Sequence, residues 1–310
     1  MSSSLTHTEQ PLVRRATVHR RPWWRSRSLK GIGYTTPATV IVVVFFLVPL
    51  VLVFWMSAND WPLLGSPTQN LPGNYSNIGH DQLLHDAITF TLKYTAIVTV
   101  VLSGVAMGLA LLVQEQRPGV GVMRTAYLLP SAVGFAAASL LFDGFYAQDG
   151  PLDDILQATG IIDEPVAWLG SPSKALFSTI AMVVWRFAGF NMLILLTGLQ
   201  AIPTDVYEAA RIDGASRWQL FRHITLPLLR PTIALMLVLS ITGSLLAFDQ
   251  FFILTRGGPD GSTVSVVMVI YREAFTKFNL GYAAAISVVL LAVLVALNVL
   301  QLRVLGRRRS

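Results

Sequence analysis

The stretch "EAARIDGASRWQLFRHITLP", residues 208–227, is polar although it stands between two long apolar runs. Pro203 and Thr204 before it supply helix start signals, and Gly214 permits a chain reversal. Ser216 and Gln219 are spaced as a capping box, which starts a second helix. The stretch therefore predicts two short helices joined by a turn. Because isolated helices this short are marginal in water, they would need a docking partner. An ordinary basic loop between spans is the alternative.

The rest of the chain is apolar enough to lie in a bilayer. Of the 310 residues, 53% are hydrophobic and 13% are charged, whereas soluble domains carry about 25% charged residues. A spanning helix needs about 20 mainly apolar residues. Six runs reach this length: 35–56, 88–113, 122–142, 175–199, 231–255 and 283–302. The predicted fold class is an all-α polytopic membrane protein with six transmembrane helices.

The first run follows several arginines, as the core of a signal peptide does. It is too long for that role, since a signal core has roughly 7–15 apolar residues, so we expect an uncleaved first helix. Pro49 and Pro130 lie inside the first and third runs, where they predict kinks. The chain has no cysteine, which excludes disulfides and thiolate metal sites.

Positive charge falls on one side if the helices alternate across the membrane. That side holds Arg14, Arg15, Arg20, Arg21, Arg25, Arg27, Lys30, Arg117, Arg124, Arg211, Arg217, Arg222, Arg230, Arg303, Arg307, Arg308 and Arg309. The other side holds Lys174, Arg256, Arg272 and Lys277. Because retained loops accumulate Lys and Arg, both termini and the 203–230 loop are predicted to be cytoplasmic. The basic tails 1–34 and 306–310 suit membrane lipids, with a protein partner as the alternative, and nucleic acid is not needed.

Three external segments, 57–87, 143–174 and 256–282, carry most of the acids. Residues 151–158 predict a short surface helix that ends near Gly160. We expect the external carboxylates to form a solvated face. The histidines show no metal-ligand spacing, and neither a nucleophile with its base nor a phosphate cradle is present. The sequence therefore favours a non-enzyme with no metal and no cofactor of its own.

The opening stretch resembles the EAA loop of the membrane subunits of binding-protein-dependent ABC importers. The pattern is Glu-Ala-Ala, three residues, Gly, nine residues, then Ile-x-Leu-Pro. It is filled by Glu208, Ala209, Ala210, Gly214, Ile224, Leu226 and Pro227. "GFNMLILLTGLQAIP" (189–203) and "FILTRGGPDGST" (252–263) resemble the carbohydrate-uptake branch, in particular its maltose "F" and glycerol-3-phosphate "A" permeases. The similarity covers about residues 35–305 and implies a type I importer permease fold.

The resemblance implies a place in a larger assembly. Two homologous permeases would form a heterodimer around the pathway, and two ATPase subunits beneath them would hold the ATP and Mg²⁺. An extracytoplasmic solute-binding protein or lipoprotein would deliver the solute to this bacterial cytoplasmic (inner) membrane complex. The residues expected to couple this chain to the ATPases are Glu208, Ala209, Ala210, Asp213, Gly214, Ile224, Leu226 and Pro227. Glu208 would meet an ATPase cation.

Alignment on Glu208 also implies a solute pathway. It comprises Trp185, Arg186, Phe187, Phe190, Ser240 and Ser244. Asn191, from the family-like stretch, is added with its role open, and Asp249, near the outer end of its run, would belong to an external gate or pair with Arg186. A charge at mid-membrane costs about 2.5–3.5 kcal/mol on insertion scales, so Arg186 should face a cavity or a partner. Solute contact, structural pairing with a helix carbonyl or Asp249, and snorkelling all stay open for Arg186. The two serines share one helix face but can also bond their own helix carbonyls.

A stand-alone secondary transporter driven by an ion gradient is the competing function. It would need inverted repeats and a buried ion-coupling acid, for which Asp249 is the candidate within the spans. A membrane-embedded enzyme would need a cluster of titratable groups that the sequence does not offer. The solute itself is not specified.

Overall fold

The computed structural model describes residues 28–115 and 117–306 of the chain. The predicted basic tails therefore fall mostly outside the described residues, at 1–27 and 307–310. The chain divides into two compact units after Leu52.

The first unit is helical wherever it is described. Helix α1 spans Ser28–Val42, a π-helical segment follows at Val43–Leu47, and α2 (Val48–Ser57) begins inside this unit. Helix α1 starts at Ser28, inside the predicted tail 1–34, so the end of that tail is helical. Pro49 comes just after the π segment, and its missing N–H explains the local change of hydrogen bonding. Side chains 34–49 are all exposed on the protein surface. Such exposure of an apolar helix is expected when lipid surrounds it.

The second unit, from Val53 on, contains the end of α2 and then a small hairpin in which β1 (Asn59–Asp60) pairs antiparallel with β2 (Thr68–Gln69). Helix α3 (Leu71–Ile78) and the long α4 (Gln82–Leu112) follow. Asp81 caps the start of α4, since its Oδ1 accepts a hydrogen bond from the Leu84 amide at 3.1 Å. A Tyr282 hydroxyl donates to the other oxygen at 2.9 Å. An acid from the predicted external face thus has a defined structural role.

The third predicted span is broken. Helix α5 (Val120–Leu128) continues as a 3-10 turn (Leu129–Ala132), and α6 (Phe135–Phe145) leaves at 96°. We expected a Pro130 kink within one helix over 122–142, and this bend is much larger than a kink. Pro130 cannot donate a backbone hydrogen bond, and Gly134 adopts an extended conformation (φ −61°, ψ 150°), so the helix stops and restarts.

Outside the spans, α7 (Pro151–Ala158) is the expected short helix, and Gly160 beyond it has φ +68°. Asp153 on α7 is only 1% exposed. Its carboxylate accepts hydrogen bonds from the Asp149 amide (3.1 Å), the Val166 amide (3.3 Å) and Trp168 Nε1 (2.7 Å). The prediction that the external carboxylates form a solvated face is therefore wrong for Asp153, which organises the surrounding loop.

The remaining helices carry the functional segments. They are α8 (Pro172–Gln200), α9 (Thr204–Ile212), α10 (Arg217–Leu220), α11 (Leu226–Leu245), α12 (Val266–Tyr271) and α13 (Leu280–Gly306). Three more π segments lie at Phe221–Thr225, Gln250–Thr255 and Arg272–Thr276. Helix α4 packs along α8, and α11 packs on both.

Among the described residues, five helices are long and apolar enough to cross a membrane: Tyr34–Ser57, Gln82–Leu112, Pro172–Gln200, Arg217–Thr255 and Leu280–Arg303. The bent pair makes six if it counts as one span. The all-α polytopic fold class is thus confirmed. The helix that corresponds to the fifth predicted span starts at Arg217, well before the predicted residue 231, because α10 runs without a gap through a π segment into α11.

Candidate functional site

A cavity of about 130 Å³, here the central cavity, lies between α4, α8 and α11. Its lining is mostly apolar with a few amide and hydroxyl groups, as in small-molecule sites. The lining residues are Tyr94, Leu102, Phe135, Val183, Phe187, Phe190, Asn191, Leu239, Ser240, Gly243, Ser244 and Gln250. Five of the predicted pathway residues are therefore brought together: Phe187, Phe190, Asn191, Ser240 and Ser244.

Two of these polar side chains join α8 to α11. The Ser240 hydroxyl donates to Asn191 Oδ1 at 3.3 Å, and Asn191 Nδ2 donates to the Phe187 carbonyl at 3.0 Å. The Ser244 hydroxyl instead donates to the Ser240 carbonyl at 2.7 Å, which is the helix self-bonding considered above. Asn191 and Ser240 thus form the polar centre of the lining.

Arg186 supports the cavity wall without lining it. Its Nε donates to the Val133 carbonyl at 2.6 Å, at the break between the 3-10 turn and α6. The guanidinium carbon lies 4.2 Å from the Phe135 ring centroid and 4.4 Å from that of Phe187. Both rings line the cavity. Of the open alternatives, pairing with a backbone carbonyl describes this geometry, and the two cation–π contacts stabilise the charge.

Trp185 and Asp249 are not in the central cavity. Trp185 instead packs beside Phe142, with ring centroids 5.2 Å apart. Asp249 is partly exposed just before the π segment Gln250–Thr255, and the described residues contain no Arg186–Asp249 ion pair within 4.0 Å. Their predicted pathway roles stay predictions without support from the cavity geometry.

Tyr94 and Gln250 were missed at the sequence level. Both are almost fully buried, and Gln250 Nε2 donates to the Tyr94 hydroxyl at 3.3 Å across 156 residues. They close one end of the central cavity. Two polar side chains within apolar runs were the available signal, but only the tertiary packing brings them into contact.

Gly189, from the family-like stretch 189–203, allows close helix packing. A Cβ atom at this position would collide with the Tyr127 backbone carbonyl on α5. Glycine is therefore needed where α8 crosses α5, directly beside Phe190 and Asn191 of the cavity.

The segment that is expected to couple to the ATPases, residues 203–230 and here called the coupling loop, contains α9 and α10 joined at Gly214. Gly214 has φ +80°, in the left-handed region, and a Cβ there would meet no heavy atom within 4 Å. The turn is closed by a 2.9 Å hydrogen bond from the Ala215 amide to the Ala210 carbonyl. The capping box is present, with Gln219 N to Ser216 Oγ at 3.4 Å and Ser216 N to Gln219 Oε1 at 2.7 Å.

A concave surface of about 340 Å³, here the elbow cavity, lies in the angle between α9 and α10. It is lined by Ala210, Asp213, Gly214, Ala215, Gln219, His223 and Ile224. Four predicted coupling residues, Ala210, Asp213, Gly214 and Ile224, belong to it. Glu208 and Ala209 are exposed on α9, whereas Leu226 and Pro227 are the first two residues of α11.

One hydrogen bond ties the two parts of the coupling loop together. Thr225 Oγ1 lies 3.3 Å from the Leu220 carbonyl, which accepts its proton, and 3.0 Å from the Tyr207 hydroxyl, which therefore donates to it. Tyr207 is on α9, and Thr225 ends the π segment that leads into α11. No short-range pattern predicts this pair, since the residues are 18 positions apart.

The coupling loop also exposes apolar side chains. Ile212 is 86% exposed and Trp218 is 64% exposed. Trp218 lies beside Phe221, with ring centroids 5.7 Å apart. Large apolar groups on a polar surface segment mark an interaction site.

No group of three or more His, Cys, Asp or Glu side chains that could hold a metal occurs in residues 34–115 and 117–303.

Bundled spanning helices, a central cavity among them and a protruding coupling loop define an integral membrane transport subunit. The family model for "Binding-protein-dependent transport system inner membrane component" matches residues 16–310. The chain belongs to this family, the permease subunits of ABC importers.

Two curated relatives illustrate the similarity. The trehalose/maltose transport system permease protein MalF of Thermococcus litoralis is 33% identical over 88% of this chain and 92% of its own length. The lactose transport system permease protein LacF of Rhizobium radiobacter is 31% identical over 92% of this chain and 97% of its own.

A solved structure has the same fold. It is a bacterial ABC transporter involved in the import of the acidic polysaccharide alginate, with a TM-score of 0.77 and 22% identity, covering 92% of this chain and 100% of that chain. The predicted family and the type I permease fold are confirmed.

Proposed function

We propose that this chain forms half of the translocation pathway of a binding-protein-dependent ABC importer for a sugar or sugar-like solute. The coupling loop carries the proposal, since it presents charged and apolar side chains on a turn of defined conformation. The sugar class is supported by the relatives MalF and LacF, which are named for trehalose/maltose and lactose transport. It is also supported by the amide, hydroxyl and aromatic lining of the central cavity.

The partners follow from the same proposal. A second, homologous permease completes the pathway as a heterodimer, and two separate ATPase subunits, which hold ATP and Mg²⁺, contact the two coupling loops. An extracytoplasmic binding protein or lipoprotein delivers the solute. The related alginate transporter has been solved in complex with an alginate pentasaccharide-bound periplasmic protein. Both termini and the coupling loop lie in the cytoplasm, where the basic tails contact membrane lipids.

The mechanism requires that the ATPases hold the coupling loop differently in two states, because only differential contact can shift a conformational equilibrium. Exposed Glu208 offers a carboxylate to an ATPase cation, and Ile212 and Trp218 offer apolar contact. The continuous helix from Arg217 to Leu245 then transmits the movement of the loop to Ser240, Gly243 and Ser244 of the cavity.

The test is the Glu208→Gln variant in the assembled transporter. We expect it to reduce solute uptake per ATP hydrolysed by about tenfold, corresponding to about 1.4 kcal/mol of lost coupling. Membrane insertion and expression should be unchanged. Asp205→Asn, an exposed acid on the same helix outside the loop motif, is the matched control.

Recovery of no ATPase with the wild-type chain would refute this proposal. Ion-dependent uptake by the purified chain alone would favour the secondary transporter instead.

A further inference from the structure

A second cavity, of about 580 Å³, lies at the opposite end of α11 from the coupling loop. The 20 residues of α11 separate the two ends by about 30 Å. This outer cavity is lined by Leu140, Asp143, Phe252, Ile253, Arg256, Met268, Tyr271, Arg272, Thr276 and Lys277. Its volume is in the range of small-molecule sites, about 300–1,000 Å³. With the coupling loop in the cytoplasm, the outer cavity opens on the extracytoplasmic side.

The lining carries unpaired positive charge. In the part of the chain that the structure describes, the ion pairs within 4.0 Å are Arg117–Glu115 and Lys277–Glu273. The Lys277 charge is therefore neutralised, by a carboxylate 2.6 Å away. Arg256 and Arg272 have no such partner, and the lining offers one carboxylate, Asp143. Two guanidinium groups against one acid leave the cavity net positive.

The two arginines reach the cavity from different segments. Arg256 ends the π segment Gln250–Thr255 with φ +53° and is exposed. Arg272 begins the next π segment and is half-buried, with its guanidinium packed against Gly257. A Cβ at Gly257, which has φ +80°, would lie 2.7 Å from Arg272 Nη2. The absence of a side chain at Gly257 therefore makes room for the guanidinium.

Phe252 and Tyr271 of the lining belong to a row of four aromatic rings. Ring centroids are 4.9 Å apart for Phe248–Phe252, 4.9 Å for Phe252–Tyr271 and 5.2 Å for Tyr271–Phe275. Phe252 is 39% exposed and Phe275 is 66% exposed. These rings are held by one another, so an apolar sugar face can stack on them at little entropic cost.

We propose that the outer cavity is a recruitment site for a carbohydrate that carries one anionic group, a carboxylate, sulfonate or phosphate ester. The sugar ring stacks on Phe252 and Tyr271, and Arg256 and Arg272 bind the anion through paired N–H donors. Asp143 accepts hydrogen bonds from sugar hydroxyls. This proposal rests on the proposed import of a sugar-like solute and narrows its substrate class.

The position of the cavity suits a site that precedes the central one. The π segment Gln250–Thr255 lines both cavities, with Gln250 in the central cavity and Phe252 and Ile253 in the outer one. A solute that moves past one turn of this segment passes between them. π segments recur at functional positions because they redirect side chains within a helix.

The test uses the complete transporter in nanodiscs without its binding protein. Galacturonate, with a single carboxylate, is the anionic probe, and galactose, in which that carboxylate is reduced to a primary alcohol, is the neutral probe. We expect calorimetry to show that the anionic probe binds at least tenfold more tightly than the neutral probe. A higher salt concentration should weaken the binding of the anionic probe. Arg256→Gln and Arg272→Gln should each weaken binding of the anionic probe about tenfold. Phe252→Leu should weaken binding of both probes.

Lys174→Gln is the control, since Lys174 is exposed near the start of α8 and does not line the outer cavity. Arg272→Lys keeps the charge but loses the paired donors, so it should fall between wild type and Arg272→Gln. Equal affinity for the two probes, or unchanged affinity in both Gln variants, would overturn the proposal. Docking of the binding protein is measured separately, with that protein added. If the Gln variants weaken only this docking, the basic surface serves a protein contact and the proposal is overturned.

The outcome is independent of ATP coupling. If the chain binds the anionic probe but recruits no ATPase, the importer function is refuted, whereas the proposed carbohydrate site in the outer cavity is supported. If the transporter couples uptake to ATP hydrolysis but binds both probes equally, the importer function is supported and the proposed site is refuted.

Discussion

At the scale of single residues, Arg186 shows how a mid-membrane charge becomes structural. Its hydrogen bond to the Val133 carbonyl fixes the broken third span, and its stacking on Phe135 and Phe187 holds two rings of the cavity lining. The function of Arg186 is therefore to position the wall, and any effect on solute passes through these rings.

Replacement of Arg186 by Leu should therefore destabilise the assembled protein before it alters selectivity. Loss of a hydrogen bond to a charged group costs about 1.5–3 kcal/mol. We expect a lower thermal transition, measured in detergent, with the order of solute preference retained. Arg186→Lys should recover part of the stability. A wild-type transition temperature together with a new solute preference would instead place Arg186 in contact with solute.

At the scale of elements, the coupling loop depends on one backbone conformation. Gly214→Pro should abolish coupling because proline needs φ near −65° and Gly214 has φ +80°. Uptake in proteoliposomes should fall to background while the chain still inserts in the membrane. Gly214→Asn is the control, since asparagine tolerates the left-handed region and the site has space for a side chain. Normal uptake by the proline variant would exclude a rigid coupling loop.

The Tyr207–Thr225 hydrogen bond links α9 to the residue that precedes α11, so we expect it to pass movement of α9 to α11. Tyr207→Phe and Thr225→Val should each lower uptake per ATP severalfold, since each removes the same contact. The double variant should be no worse than either single one, with a coupling energy of about 0.5–1.5 kcal/mol. Additive losses in this double-mutant cycle, measured in proteoliposomes, would show that the two residues act separately.

At the scale of the whole molecule, orientation can be tested directly because the chain has no cysteine. Ser216→Cys in the coupling loop should resist a membrane-impermeant thiol reagent in intact cells and react after permeabilisation. Asp154→Cys, at an exposed position of α7, should react in both conditions. Labelling of position 216 from outside would overturn the assigned topology and, with it, the ATPase contact.

The sequence by itself determined the membrane class, the family and the local geometry of the coupling loop. Those features depend on composition and on residues a few positions apart: apolar runs of spanning length, a glycine at a turn, a serine and a glutamine in one capping box. Such short-range patterns act through local backbone preferences, so they can be recognised without knowledge of the fold.

Tertiary structure alone decided which polar residues meet. It brought Gln250 to Tyr94, Arg186 to Val133 and Tyr207 to Thr225, and it buried Asp153 under three donors. It also left Trp185 and Asp249 outside the central cavity and turned a predicted kink at Pro130 into a 96° break. These outcomes depend on the packing of helices distant in the chain, and a buried polar group must find its partner wherever that packing places one.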